Sequence, residues 1–108
     1  ALARYFDTYD ILLTPATNGP APEHGVLRMD QGDLDAFLDR LFHISPFSAA
    51  FNASGQPAIS LPVHQTPDGL PIGVQLVAGF AKDAMLLQLS AQLEAASTWT
   101  TLAPDPGA

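Results

Sequence analysis

The sequence predicts an α/β fold of about three strands with flanking helices, on the evidence of three kinds of pattern. Residues 58–63 and 72–78 have the composition and alternation of strands, and a turn sequence separates them. Apolar residues recur at helical spacing in residues 33–44 and 83–96. A third strand is predicted at residues 10–14, where the apolar run is brief and has no polar face. Because such runs suit buried strands of parallel or mixed sheets, we expect a mixed sheet.

Length, charge and composition narrow the class of protein. The chain has 108 residues, a formal net charge of −7 and only 4 basic residues, so it lacks the basic clusters that bind nucleic acid or an anionic membrane. It has no cysteine, which excludes disulfides and thiolate metal sites. No apolar run is long enough to span a bilayer, and no secretory leader pattern opens the sequence. We therefore expect a cytoplasmic protein that binds neither nucleic acid nor membrane.

The first third of the chain combines a helix end, a strand and a loop. Residues 2–8 have the pattern of an amphipathic helix already under way, and the first residue, Ala1, is not a methionine. We interpret the chain as cut from a longer protein; the alternative is a processed or tagged small protein. The predicted strand at residues 10–14 is stopped by Pro15, and residues 15–32 are predicted to form a loop because prolines and glycines break any periodicity there.

Two helices are predicted next. Asp33 is placed to cap the first helix, whose apolar face is formed by Leu34, Phe37, Leu38, Leu41 and Phe42. Ser45 and Pro46 predict a second start, with Ser45 as the N-cap and Pro46 at the first helical position. The resulting short helix at residues 47–53 would end at Gly55 in the left-handed conformation.

The last two strands and the final helix follow from residue alternation. Pro62 lacks an N–H group, so strand pairing must be interrupted near it, and Thr66-Pro67-Asp68-Gly69 has turn chemistry. Gln75 is the polar residue of an otherwise apolar strand, and its amide makes either a structural hydrogen bond to backbone or a substrate contact. Asp83 is predicted to cap a helix whose buried stripe is Leu86, Leu89, Leu93 and Ala96.

No catalytic constellation is evident from residue spacing. His24, His43 and His64 are far apart in sequence and have no second ligand at helical or hairpin spacing, so no metal site and no cofactor are predicted. The serines do not stand in a nucleophile elbow.

The stretch from residue 52 to residue 75 nevertheless resembles the C-terminal part of the amidase-signature enzymes. The matching positions of the two motifs are Asn52, Gly55, Pro57, Ala58, Ile59, Ser60 and Pro62, then Gly69, Leu70, Pro71, Gly73 and Gln75. Tyr9 to Pro15 resembles a strand of the same family, and Lys82 to Trp99 resembles its closing helix. The resemblance implies that residues 1–102 are the C-terminal part of an amidase-signature domain and that residues 103–108 are a tail.

The resemblance implies hydrolysis of carbon–nitrogen amide bonds by a serine nucleophile. The family uses a Ser–cis-Ser–Lys triad in a Gly/Ser-rich region, and neither occurs in this sequence. We therefore expect the triad outside this chain and predict that the chain alone is inactive, because serine needs a base to become a nucleophile. In the intact enzyme, the segment would add strands and a helix and form one wall of the substrate pocket.

By the same resemblance, two segments face the substrate pocket. They are the loop after Thr14 and the start of the short helix, and the predicted substrate-binding residues are Thr14, Ser45, Phe47 and Ser48. The two serines could bind substrate by hydrogen bonds, and Phe47 could give the pocket apolar shape. The alternative explanation is that both serines only cap the helix.

Two alternative functions remain open at this point. The chain could be a non-catalytic structural or oligomerisation piece whose strand edges pair with another chain. It could also be part of a tRNA-dependent amidotransferase A subunit, although the family resemblance implies an acidic residue near Ser45 in that branch. The expected partners are a small-molecule amide substrate and either a second copy of the chain or the missing N-terminal part.

Overall fold

The computed structural model describes residues 2–30, 32–97 and 99, so the predicted tail at residues 103–108 lies outside the described residues. Its helices and strands follow one another along the chain as α1 (Leu2–Phe6), β1 (Ile11–Pro15), α2 (Leu34–Ile44), α3 (Ser48–Ser54), β2 (Ala58–Gln65), β3 (Pro71–Ala78) and α4 (Asp83–Ala96). The predicted α/β class, with three strands and flanking helices, is confirmed.

The three strands form one sheet in the order β1-β3-β2, so β3 is the central strand. β2 and β3 are antiparallel because a short turn joins them. β1 is also antiparallel to β3. The parallel pairing expected of a mixed sheet is therefore not found among these three strands.

β1 differs from its prediction in its position. A fully apolar run favoured a buried strand, but β1 lies at an edge of this three-stranded sheet, and 64% of Leu13 is exposed. The prediction that β1 is buried is wrong for the described chain. Apolar residues on both faces do not reveal how many strands lie beside the run.

The β2–β3 hairpin confirms two predictions: strand pairing is interrupted near Pro62, and residues 66–69 form a turn. The register runs evenly from Ala58 to Leu61 and then shifts by one residue before His64, across Pro62. The turn closes with a hydrogen bond of 2.9 Å from Gly69 N–H to Thr66 O, and Gly69 has a φ of +84°. Glycine adopts this left-handed backbone without a steric penalty, which explains its place in the turn.

The core lies between one face of the sheet and α4. Its buried members are Leu61, Leu76, Ala78 and Leu86, with Leu89 and Leu93 packed against them. Ala96 is exposed and does not extend the predicted stripe. The prediction that Asp83 caps α4 is wrong by one residue, because Lys82 is the N-cap and Asp83 is the first helical residue.

Helix α2 begins as predicted. Asp33 is its N-cap, and the Asp33 carboxylate accepts a hydrogen bond of 3.0 Å from Ala36 N–H. The helix has no buried residue: 68% of Leu34 and 54% of Phe42 are exposed. The described part of the chain therefore leaves much of the apolar face of α2 open to solvent.

The start of α3 differs from the prediction. Ser45 was expected to be its N-cap, but Ser45 N–H donates to Leu41 O at 3.0 Å and thereby makes Ser45 the C-cap of α2. The N-cap of α3 is Phe47, which provides no side-chain cap. The end of α3 is as predicted, with Gly55 in the left-handed conformation at a φ of +77°.

The molecule is a slab with principal extents of 43 × 41 × 21 Å and a radius of gyration of 16.4 Å. A compact domain of this length has a radius of gyration of about 13 Å, so the described chain is flatter and more open than usual. None of its described helices combines the length and apolar character that a bilayer crossing requires.

Candidate substrate-binding site

Two serine hydroxyls meet at the junction between α2 and α3. Ser45 Oγ and Ser48 Oγ are 2.9 Å apart and partly buried, and either can be the donor. Each hydroxyl has one proton, and the bond between them uses one of the two. The serine pair, Ser45 and Ser48, therefore has one O–H group left for another acceptor. Phe47 lies between the two serines in sequence and is half-buried.

The loop after β1 contacts this junction through its backbone. Asn18 N–H donates to Ile44 O at 2.9 Å, one residue before Ser45. Ala16 N–H donates to Gly73 O at 3.1 Å and continues the pairing of β1 with β3. These two bonds link the end of the sheet to the last residue of α2, so the loop after β1 lies next to the α2–α3 junction.

Thr14 occupies the last part of β1, opposite Gln75 of β3. Its hydroxyl accepts a hydrogen bond of 3.2 Å from Gln75 Nε2 and donates one of 3.0 Å to Pro15 O. Gln75 is 8% exposed. The buried amide therefore donates to the side chain of Thr14. The structural hydrogen bond that we predicted for Gln75 was to the backbone instead.

The four predicted residues thus form two separate groups. Ser45, Phe47 and Ser48 share the α2–α3 junction, whereas Thr14 pairs with Gln75 on the sheet. Among the described residues, no hydrogen bond joins Thr14 directly to the serine pair. The backbone bond of Asn18 that connects the two groups could not be predicted, because it involves no side chain with a recognisable pattern.

Two surface clefts lie elsewhere on the described chain. One, of about 440 Å³, lies between the end of α3 and the start of α4, and another, of about 520 Å³, lies beside the second half of α2. Neither cleft is lined by any of the four predicted residues. These four residues are therefore not assigned to either cleft.

Charged groups do not form a metal centre in the part of the chain that is described. No three histidine or carboxylate side chains converge there. Arg28 and Asp30 form an exposed bidentate ion pair in the loop before α2, with 2.9 Å between Arg28 Nε and Asp30 Oδ1. The hydrogen bond from the Arg28 guanidinium lowers the pKa of Asp30, and the same contact raises the pKa of Arg28.

Comparison with protein families identifies the chain. The Amidase family profile matches residues 1–87. The chain belongs to the amidase family. The match confirms the resemblance read from the motifs between residues 52 and 75, and it extends over the sheet and most of the helices.

Curated relatives of the amidase family align with nearly the whole chain. The 6-aminohexanoate-cyclic-dimer hydrolase of Paenarthrobacter ureafaciens is 43% identical over 101 residues, which cover 89% of this chain and 20% of that protein. The putative amidase AmiC of Mycobacterium leprae is 40% identical over 100 residues, which cover 93% of this chain and 21% of that protein. The chain therefore spans about a fifth of the length of these relatives.

A solved amidase-family structure has the same fold in this region. A 6-aminohexanoate cyclic dimer hydrolase superposes with a TM-score of 0.77 at 39% identity, covering 94% of this chain and 22% of that one. A second structure of such a hydrolase, complexed with substrate, gives the same values. The α/β arrangement is thus that of the corresponding part of an amidase-family hydrolase.

Proposed function

We propose that this chain is the C-terminal part of an amidase that hydrolyses carbon–nitrogen amide bonds of small molecules. The observation that carries the proposal is the superposition of 94% of the chain on a 6-aminohexanoate cyclic dimer hydrolase, with a TM-score of 0.77. The reported relatives are named hydrolases and amidases, which favours this function over a structural piece or an amidotransferase subunit. We place the protein in the cytoplasm.

The reacting groups are proposed to lie in the remainder of the protein. Acyl transfer by serine needs a neighbouring base that accepts the hydroxyl proton. The only lysine of this sequence, Lys82, is at the start of α4, whereas the serine pair is at the α2–α3 junction and is hydrogen-bonded internally. This chain would therefore supply sheet and pocket wall, and a Ser–cis-Ser–Lys triad outside it would perform the reaction.

The serine pair is proposed to bind the substrate. Its one remaining O–H group is suited to an acceptor such as the carbonyl or carboxylate oxygen of an amide substrate. Phe47 would add apolar surface beside it, and Thr14 would form part of the wall at the end of β1. Capping of α3 by the two hydroxyls is less well supported, because Phe47 is the N-cap of α3 and the hydroxyls bind each other. Ser45 caps the end of α2 through its backbone N–H group alone.

The open apolar surfaces are proposed to contact another part of the protein or a second copy of the chain. Leu34 and Phe42 on α2, and Leu13 on β1, are all more than half exposed. Large exposed apolar side chains are common at interaction sites, and two of these three are on the same helix, α2.

The proposed activity is tested on the full-length protein that contains this chain. We expect it to hydrolyse 6-aminohexanoate cyclic dimer or a simple amide in a panel, with the new amine or ammonia measured as product. The 108-residue chain alone should release none. Product formation by the isolated chain, after exclusion of contaminants, would contradict the placement of the triad, and an inactive full-length protein would contradict the amidase function.

The role of the serine pair is tested by Ser48→Ala in the full-length protein. Loss of one substrate hydrogen bond worth about 1 kcal/mol should raise KM about fivefold while kcat changes little. Ser54→Ala is the matched control, because Ser54 is on the same helix and its hydroxyl donates to Ala50 O at 2.6 Å. Equal KM values for the two variants would reject substrate binding by Ser48.

A further inference from the structure

We propose that Gln75 is a positioning residue for the substrate-binding wall. Its buried amide donates to the Thr14 oxygen while the Thr14 proton is donated to Pro15 O, and Thr14 therefore faces a substrate without a free hydroxyl proton. This inference rests on the proposed function, because Thr14 is assigned to the wall there. It adds a role for Gln75 that neither the family match nor the motif provides.

The first support is the geometry of the cross-strand pair. Thr14 and Gln75 are directly opposite each other in the β1–β3 register, and Gln75 Nε2 lies 3.2 Å from Thr14 Oγ1. Gln75 is on the central strand and is followed by Leu76, which is 2% exposed. A side-chain amide buried to this degree needs a partner, since leaving it unpaired costs more than the bond itself contributes. The partner provided here is the Thr14 hydroxyl.

The second support is the number of protons on that hydroxyl. A threonine hydroxyl has one proton, and the Thr14 proton points to Pro15 O at 3.0 Å. The oxygen also accepts from Gln75, so both its proton and one acceptor site are used within the protein. Thr14 therefore cannot donate a hydrogen bond to a substrate while this arrangement holds.

The third support is the close packing of neighbouring segments of the chain around Gly73, two residues before Gln75. A Cβ atom placed on Gly73 would lie 3.0 Å from Ser60 Oγ and 3.1 Å from Ala16 Cβ. These distances are tighter than ordinary van der Waals contact, so a side chain at residue 73 would require Ser60 or Ala16 to move. Gly73 O also accepts the hydrogen bond from Ala16 N–H. The end of β1 and the loop after it are thus held to β3 at two positions. Thr14 is bonded to Gln75, and Ala16 is bonded to Gly73.

A direct contact between Gln75 and the substrate is less compatible with these observations. With only 8% of its surface exposed, Gln75 has little area to offer a ligand, and one of its two amide N–H groups is already donated to Thr14. An effect of Gln75 on substrate binding should therefore pass through Thr14. This distinction can be measured.

The experiment is a double-mutant cycle in the full-length protein with Gln75→Met and Thr14→Val. Both replacements keep the approximate shape and remove the hydrogen bond. We expect each single variant to raise KM about fivefold, as for one lost hydrogen bond, and the double variant to raise it no further. Thr14→Ser keeps the hydroxyl and should recover most of the loss seen with Thr14→Val. Gln65→Met, at an exposed glutamine of β2, is the matched control and should leave KM unchanged.

Hydrogen exchange of the β1 and β3 amides provides a second measurement that needs no substrate. The two single variants should each lower protection at the β1–β3 pair, and the double variant should lower it no more than either one. Additive effects in both measurements would overturn the inference, even if the wild-type protein hydrolyses amides. A non-additive loss of exchange protection with no change in KM would show that the Gln75–Thr14 bond exists but does not position the wall. That result would also overturn the inference. An inactive wild-type protein would overturn the proposed function instead.

Discussion

Leu86→Ala is expected to weaken the packing of α4 on the sheet. Leu86 is 3% exposed and packs against Leu61, Leu76 and Ala78, which are the other buried members of the core. Leu87 is the next residue on the same helix and is 63% exposed. The pair thus offers the same chemical change once inside the core and once at the surface.

The magnitude follows from what the substitution removes. Leucine has three more carbon groups than alanine, and burial of each contributes about 0.8 kcal/mol, which makes about 2.5 kcal/mol of lost transfer free energy. A cavity adds to this loss, and Leu→Ala substitutions in cores cost about 2–5 kcal/mol in total. Leu86 also borders a surface cleft of about 230 Å³, which allows neighbours to move into the vacated space. We therefore expect about 2.5–3.5 kcal/mol.

Hydrogen exchange of the β3 amides measures this loss as a change in opening free energy. In Leu86→Ala, the protection of residues 71–78 should fall by a factor of about 60 to 300, since each 1.4 kcal/mol is about tenfold. Leu87→Ala should change protection by less than about 0.5 kcal/mol, as is usual for a surface substitution. A loss below about 1 kcal/mol for Leu86→Ala, or equal losses for the two variants, would refute the assignment of Leu86 to the core.

Three further predictions concern the backbone and the charged loop. Gly55→Ala should lower the free energy of unfolding in urea by about 1 kcal/mol, because alanine is strained at a φ of +77° although nothing lies within 4 Å of the added Cβ. Gly19→Ala, which has the same free space without a positive φ, should not lower it, and equal losses would contradict the explanation. Asp33→Ala should cost about 1 kcal/mol in the same titration through loss of the N-cap bond, whereas Asp33→Asn should keep most of it; a neutral Asp33→Ala would exclude a capping role. In an NMR titration, the pKa of Asp30 should lie below its ordinary value and return towards it in Arg28→Gln. Because the folded pKa is the lower one, any stability from this pair is present above the unfolded pKa and is lost as the pH falls through the folded pKa; an unchanged pKa in Arg28→Gln would contradict the pairing.

Local signals in the sequence predicted most of the elements correctly. Helical spacing of apolar residues identified α2 and α4, and the capping chemistry of Asp33 and Gly55 located a helix start and a helix end. The prediction of a capping residue was wrong at Ser45, where a helix end and a predicted helix start coincide. Ser45 satisfied the preference for an N-cap, but its N–H group continued the hydrogen bonding of α2 and made it a C-cap. The two roles use different groups of Ser45: its backbone N–H donates to Leu41 O, and its hydroxyl is bonded to Ser48 Oγ rather than to a backbone N–H at the start of α3.

The candidate site was predicted only in part, for a similar reason. The family resemblance and the motifs that carry it led to Ser45 and Ser48, and the structure shows that their hydroxyls are hydrogen-bonded to each other. They did not indicate that Gln75 would donate to Thr14, because the two residues are 61 positions apart in sequence. Nor did they indicate the backbone bond from Asn18 to Ile44 that connects the loop after β1 with the end of α2.

The sequence by itself determined the elements, the β2–β3 turn and the family, because each is encoded in residues that are close together in the chain. Backbone preference, side-chain period and motif spacing act over a few residues and do not need the rest of the fold. Only the tertiary structure decided that β1 lies at the edge of the sheet, that the apolar face of α2 remains open, and that the buried amide of Gln75 is bound to Thr14. These features depend on strand register and on which surfaces meet, and a side chain finds its partner only after the sheet has brought distant segments together.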